Sequence, residues 1–440
     1  MKTDRFVKIA VVIALLGVLV AGQVQAAGVK HVIVMISDGC GYNQVEAACL
    51  YRFGKPEGWS YQQFPVKLAM STFPDGGSYD PALAWGDFLY VKKAVTDSAA
   101  AATALATGVK TYNGAIGVGP DKLPVENILE RAERKGMASG VVTSVPFCHA
   151  TPAGFLAHNT GRGNYCDIAL SMANSGAEVV MGAGNPYYDN SGKLLATPKF
   201  EYLTQELWEQ LKSGSACSDA NGDGKPEPWK LLQTREEFQS LLQGNVPDRV
   251  FGIAQANSTL QEGRGGDGKA AAYAVPFNTN VPSLSDMALG AIRVLDKDPD
   301  GFCMMVEGGA VDWAGHSNLS GRNIEEEIDF SEAVEAVVKW VEKNSNWDET
   351  LLIVTGDHET GYLTGLGSDP KWQPLVNNGA GKMPGMEWHY GSHTNALLPL
   401  FAKGRGSEFF TARAHGQDPV RGAYVDNTHV ARAVFAALGR

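Results

Sequence analysis

The chain contains no Cys-x-x-Cys pair, and six cysteines in 440 residues are too few for a disulfide scaffold or a cysteine-held zinc ribbon. Proline is sparse at 21 residues, and a make-up of 44% apolar and 19% charged residues excludes disordered and collagen-like chains. A bilayer-spanning run is missing as well. The apolar stretch from Ile9 to Val20 has twelve residues, against the roughly twenty of a spanning helix. Positive charge is in short supply: 37 Lys and Arg face 48 Asp and Glu, for a net charge of −11. A surface of that sign disfavours DNA, RNA and anionic lipid, each of which is held by Lys and Arg on phosphate. An anionic substrate therefore needs a strongly positive local feature to offset the field.

Lys2, Arg5 and Lys8 precede the apolar stretch, and Val24-Gln25-Ala26 reads as a small-residue cleavage site, the pattern of a secretory signal peptide over residues 1–26. Its removal takes three basic and one acidic side chain and shifts the net charge from −11 to about −13. The expected product is exported, periplasmic or secreted, with no stable membrane anchor.

Beyond residue 26, short runs rich in Val, Ile and Met alternate with helical stretches, as buried strands of a parallel sheet do. Strands are expected at Val29 to Ser37, Gly140 to Val145, Gly301 to Val306, Thr350 to Thr355 and Leu397 to Ala402. Helices are expected at Val125 to Lys135, Ile324 to Lys343 and Thr428 to Leu438. The class is α/β, a mostly parallel central sheet with helices on both faces. The rhythm weakens from Gly182 to Asp286, which reads as a large insertion into a single domain of residues 27–440. A second excursion, Gly361 to Ser392, has a length more typical of functional loops.

Ligands of open α/β sheets bind where strands end, and the residues found there are consistent. Asp38 follows the first strand, His149 and Thr151 the second, and Glu307, Asp312 and His316 the third. Asp357-His358 follows the fourth, and His393 precedes the fifth. Histidines with carboxylates suit Zn²⁺, and carboxylates with hydroxyls and water suit Mg²⁺. Asp312 and His316 are spaced to meet on one helical turn. Asp357 and His358 share a metal only if the chain turns there, which Gly356 and Gly361 permit. Ser98 opens an alanine-rich helix after Thr96-Asp97, where free N–H groups favour an alkoxide and a bound phosphate. Without a Gly-x-Ser-x-Gly elbow, a metal is the natural activator of that serine. Arg162 carries the planar fork that bidentate phosphate binding uses.

In this order, Ser37-Asp38-Gly39-Cys40-Gly41, Thr96-Asp97-Ser98-Ala99, His149-Ala150-Thr151-Pro152, Glu307-Gly308-Gly309-Ala310-Val311-Asp312, Gly356-Asp357-His358-Glu359-Thr360-Gly361 and His393-Thr394 resemble the motifs of the metal-dependent alkaline phosphatases. The resemblance runs from about Val29 to the C-terminus and is weakest in the middle insertion. It implies an alkaline-phosphatase-like fold and hydrolysis of small-molecule phosphate monoesters through a phosphoserine at Ser98, with Arg162 orienting the substrate. It also implies two Zn and one Mg: Asp312, His316 and His393 for one zinc, Asp38, Asp357 and His358 for the other, and Asp38, Thr151 and Glu307 for magnesium. His149 stands beside the magnesium, where relatives have Asp or His. Trp313, expected at the substrate, takes the place of a lysine found in some relatives. By analogy with the family, a homodimer is possible.

Other signals are weaker. Asp219, Asn221, Asp223 and Gly224 begin like a calcium loop, but Lys230 stands where its bidentate acid belongs, so the match is partial. Cys148 and Cys166 flank the segment from Thr151 to Arg162, and Cys303 reads as a buried thiol. A related phosphodiesterase and a non-catalytic metal or phosphate scavenger are the alternatives. The scavenger needs the ligands but neither Ser98 nor Arg162.

Overall fold

A computed structural model describes residues 28–220 and 224–439. The segment 1–26, expected to be a signal peptide, lies outside the described residues, as do Asn221 and Asp223 of the partial calcium loop. Of that loop's other acids, Asp219 accepts from the Gly224 N–H at 2.9 Å, and Glu227 accepts from the Ala220 N–H at 2.9 Å.

Eleven strands form one sheet: β1 His31–Ser37, β2 Val66–Ser71, β3 Ala138–Pro146, β4 Val179–Ala183, β5 Lys230–Leu232, β6 Val250–Ile253, β7 Phe302–Gly308, β8 Thr350–Gly356, β9 Leu398–Gly404, β10 Gly416–Asp418 and β11 Gly422–Asp426. Their order is β10-β11-β2-β9-β8-β1-β7-β3-β4-β6-β5. From β8 through β1, β7, β3, β4 and β6 to β5, neighbours pair in parallel. β9, the fifth expected strand, runs antiparallel to β8 and β2. All five expected strands are present, and β5 and β6, within the segment read as an insertion, extend the sheet at one edge.

Alternation along a strand sends neighbouring side chains to opposite faces, and β1 is buried on both. Val32, Val34 and Ile36 pack with α2 Ser98–Thr107, α3 Ile128–Glu133, α4 Ala150–Leu156 and α8 Thr428–Leu438. Ile33 and Met35 pack with α1 Tyr42–Phe53, α5 Leu284–Leu295 and α7 Ser320–Asn344 on the other face. Helices therefore cover both faces, as a parallel sheet requires. α3 is shorter than the expected Val125 to Lys135 because it begins only after its cap, Asn127, whose side chain accepts from the N–H groups of Leu129 and Glu130.

Register sets the site. Ser37 of β1 lies level with Gly308 of β7 and with Gly356 of β8, so three central strands end on one line. Asp38 and Asp357 follow that line directly, and Glu307 immediately precedes it.

Candidate active site

Each functional side chain is brought to this edge by a local feature. The turn after β1 holds Gly39 at φ +73°, where a side chain would place its Cβ 2.5 Å from the Cα of Asp312. α6, Ala310–His316, sets Asp312 and His316 one turn apart, with Oδ2 and Nε2 at 3.5 Å. The chain turns after β8, as Gly356 and Gly361 allow, and Glu359–Thr360 pairs antiparallel with His393–Thr394. The excursion from Gly361 to Ser392 thus closes on itself and returns His393 beside His358, their rings stacked with centroids 3.6 Å apart.

Carboxylates and imidazoles converge here. The ligand atoms of Asp312, His316 and His393 lie within 4.8 Å of one another, and so do those of Asp38, Asp312 and His358. Asp312 thus belongs to both groups. Asp357, expected with Asp38 and His358, presents Oδ2 at 3.2 Å from His358 Nε2. Its other oxygen is taken by the N–H groups of Gly39 and His358, at 3.1 and 2.8 Å.

The three imidazoles are oriented from behind. Nδ1 of His316 lies 2.9 Å from the Gly391 carbonyl, and Nδ1 of His393 lies 2.8 Å from the Thr96 carbonyl. A carbonyl only accepts, so both Nδ1 atoms carry a proton, and in the neutral rings the Nε2 atoms are the ones free to act as ligands. Those two Nε2 atoms are 3.0 Å apart. Two ring nitrogens at that separation need a proton or a metal ion between them. His358 follows the same pattern: its Nδ1 is 3.2 Å from Thr360 Oγ, whose own proton goes to Asp312.

Several buried atoms of the cluster have no hydrogen-bond partner: Asp38 Oδ1, Asp357 Oδ2, Glu307 Oε1 and His149 Nδ1. Burial, then the charges of Asp357, Asp312 and Glu307, push the Asp38 carboxyl well above its usual range. Burial likewise raises Asp357 and lifts Glu307 to about 7. Burial, then His393, holds His358 far below its usual value and therefore neutral. Orphaned carboxylate oxygens among imidazole nitrogens form a donor set suited to divalent cations.

Ser98 is the first residue of α2, capped by Asp97, whose side chain accepts from the Ala100 N–H at 2.9 Å. Its Oγ lies 3.2 Å from His358 Nε2, so the hydroxyl stands directly beside the cluster. Arg162 reaches the same place, its Nη1 3.0 Å from Asp97 Oδ2. Burial disfavours the guanidinium charge, but Asp97 and Asp38 outweigh it and raise the pKa. Asp97 therefore joins the helix cap to the arginine, a role that its sequence position announces only as a cap.

The expected magnesium residues are less uniform. Thr151 donates to Asp38 Oδ2 at 3.5 Å, and Glu307 lies alongside. The ring of His149 makes no hydrogen bond; it sits edge-on to Trp313, with centroids 5.6 Å apart, and stacks on Tyr165 at 6.1 Å. Burial, then Arg162, lowers its pKa to about 3. Thr143, which no motif singles out, donates to Glu307 from the neighbouring position on β3 and accepts from the Val145 N–H at 3.1 Å. Thr143→Val keeps the shape and deletes both bonds, so it is expected to cost about 1–3 kcal/mol in urea denaturation and to raise the magnesium concentration needed for full activity. A variant as stable and as magnesium-avid as the parent contradicts this. The six cysteines are free thiols, and Cys303 is buried as expected.

The alkaline phosphatase family model matches residues 29–399. The chain belongs to that family. The expectation of a phosphomonoesterase stands with it. Alkaline phosphatase 4 of Bacillus subtilis is 32% identical over 367 residues, covering 80% of this chain and 66% of its own length. Alkaline phosphatase of Escherichia coli is 30% identical over 356 residues, 75% of this chain and 70% of its own. The chain thus spans about two thirds of these two relatives. Among solved structures, alkaline phosphatase from the Antarctic bacterium TAB5 shares the fold with a TM-score of 0.63 at 26% identity, covering 93% of this chain and 98% of that one. A variant of that enzyme with aspartate in place of a histidine, also 26% identical, was solved with magnesium bound.

Proposed function

We propose that the chain is an exported alkaline phosphatase that hydrolyses phosphate monoesters to an alcohol and inorganic phosphate through a phosphoserine at Ser98. One observation carries this reading: a helix-opening serine hydroxyl lies 3.2 Å from an imidazole of a cluster whose His316 and His393 nitrogens face each other at 3.0 Å. The helix N-terminus favours the negative charge of an attacking oxygen and of the phosphoryl group. Arg162, steadied by Asp97, presents its fork to two phosphate oxygens. Most of the rate must come from such positioning and charge neutralisation, because uncatalysed monoester hydrolysis is among the slowest reactions known.

In this reading Asp312, His316 and His393 hold one zinc, Asp38, Asp357 and His358 the second, and Asp38, Thr151 and Glu307 a magnesium, with His149 nearby. When bound, such ions act as Lewis acids that lower the pKa of the nucleophile and stabilise developing charge. They also supply the local positive charge that an acidic protein needs to handle an anion. His149 is read as a position that tunes magnesium affinity, histidine being a poorer partner than carboxylate for that ion. The family supports small phosphate esters as substrates, and no helix among the described residues is long and apolar enough to cross a membrane.

The deciding experiment compares an aryl phosphate monoester with its methyl diester. Arg162 forms charge-assisted bonds to a dianion that a diester cannot fully accept, so kcat/KM is expected to favour the monoester by roughly 10- to 100-fold. Preference for the diester selects the phosphodiesterase reading, and metal binding without turnover of either selects the scavenger. Trp313, on the His149 side of the site, brings no positive charge. Trp313→Lys is therefore expected to lower the phosphate inhibition constant by about fivefold, the worth of roughly 1 kcal/mol for a partly exposed charge pair. An unchanged or higher constant refutes that role.

A further inference from the structure

α7 lies beneath the catalytic strands, with Glu327 accepting from Ser37 Oγ at 2.6 Å. A different set of its acids, Glu325, Glu326, Asp329 and Glu332, lines a cavity of about 300 Å³ under the segment 273–283. Three of the four are engaged. Glu325 accepts from Arg264 at 2.8 Å and from the Tyr273 N–H at 2.6 Å. Asp329 accepts from the Leu284 N–H at 3.3 Å, and Glu332 pairs with Arg52 at 3.1 Å.

Glu326 differs. It is 5% exposed, and its Oε1 is buried without a hydrogen bond. The acids nearest it, Asp329, Glu262 and Glu325, share its sign, and the cations Arg322 and Arg264 both turn to Glu325, at 3.5 and 2.8 Å. Buried carboxyl groups in native proteins are paired or hydrogen-bonded, so a bare one in the wall of a cavity marks a place for a donor. The mouth is aromatic: Tyr273 and Phe277 are 44% and 38% exposed, with ring centroids 5.6 Å apart. Arg235, the other charged group on the wall, turns one guanidinium nitrogen to the Thr279 carbonyl at 3.4 Å.

We propose that this cavity binds a small primary ammonium ion, its –NH₃⁺ donating to Glu326 and Asp329 and its alkyl chain lying against Tyr273 and Phe277. An ammonium fits better than a metal ion for two reasons. Among the described residues, only the catalytic cluster brings three ligand atoms within 4.8 Å of one another. Aromatic rings give an alkyl chain apolar contact and offer little to a hydrated metal ion. The site is separate from the phosphatase chemistry, and its occupancy does not depend on that reading.

The test is a calorimetric titration of the metal-loaded protein with n-butylamine at pH 7.5, with sodium chloride, tetramethylammonium and calcium chloride at matched ionic strength. Saturable binding of butylamine is expected, with weaker binding of tetramethylammonium, which has no N–H to donate, and a rise in melting temperature. Glu326→Gln should lose at least tenfold in affinity and Phe277→Ala a few-fold, both with unchanged aryl phosphate turnover. No butylamine heat beyond that of sodium chloride overturns the proposal and leaves Glu326 a protonated buried acid. Preference for calcium overturns it in favour of a metal site. Undiminished binding by Glu326→Gln overturns the assignment, and if that variant does not fold, undiminished binding by Phe277→Ala does so.

Discussion

Ser98→Ala is expected to lower kcat on an aryl phosphate monoester by about 10⁴-fold or more, the scale seen when a serine nucleophile is deleted, while leaving the melting temperature within a few degrees. The substitution removes one oxygen from a buried first helical position and puts alanine, the best helix former, in its place. Asp97 still caps the helix and still holds Arg162, so substrate binding persists and the loss falls on the chemical step. Acid quenching with a ³²P-labelled substrate supplies the second readout: label on the peptide that contains Ser98 in the parent, and none in the variant. Turnover within tenfold of the parent, or label on another residue, removes Ser98 from the mechanism.

Exhaustive chelation has the other large effect. Activity is expected to fall to background, and the melting temperature is expected to drop, both recovering with added zinc and magnesium. A ligand bound at a thousand times its dissociation constant stabilises the folded state by about 4 kcal/mol, and the buried acids give this a pH signature. With no cation, burial raises Asp38, Asp357 and Glu307, the last to about 7, and repulsion from neighbouring carboxylates adds to the rise at Asp38 and Glu307. The folded chelated protein thus binds protons that the unfolded chain has released, and its stability falls as pH rises from the ordinary carboxyl range through about 7. A bound cation displaces those protons and removes the slope. The gap in melting temperature between loaded and chelated protein should therefore widen from pH 5 to pH 8. Turnover that survives chelation, or a gap that narrows with pH, contradicts the metal cluster.

Much of the site was legible because its chemistry is local. Asp38, Glu307 and Asp357 each follow or end an apolar run that only a buried strand explains, and Asp312 and His316 carry a helical spacing. The structure brings these together with Ser98, Arg162, His358 and His393. Thr143 was not legible: a threonine inside a strand has no signature until register sets it opposite Glu307. The Gly391 and Thr96 carbonyls were invisible for a deeper reason, since every residue has a carbonyl and only the folded backbone decides where it points. Glu326 went unnoticed among the acids of a long helix, where most carboxylates are solvated.

The sequence by itself determined the α/β class, the family motifs and the residue types of a carboxylate and imidazole cluster, because strand periodicity and side-chain chemistry are properties of neighbouring residues. Only the tertiary structure decided that Asp312 stands between two ligand groups, that the His316 and His393 nitrogens face each other, and that His149 packs against Trp313 with no hydrogen bond from its ring. Those facts depend on strand register and on the return of the Gly361–Ser392 excursion, which are fixed by pairing between segments distant along the chain and written in none of them alone.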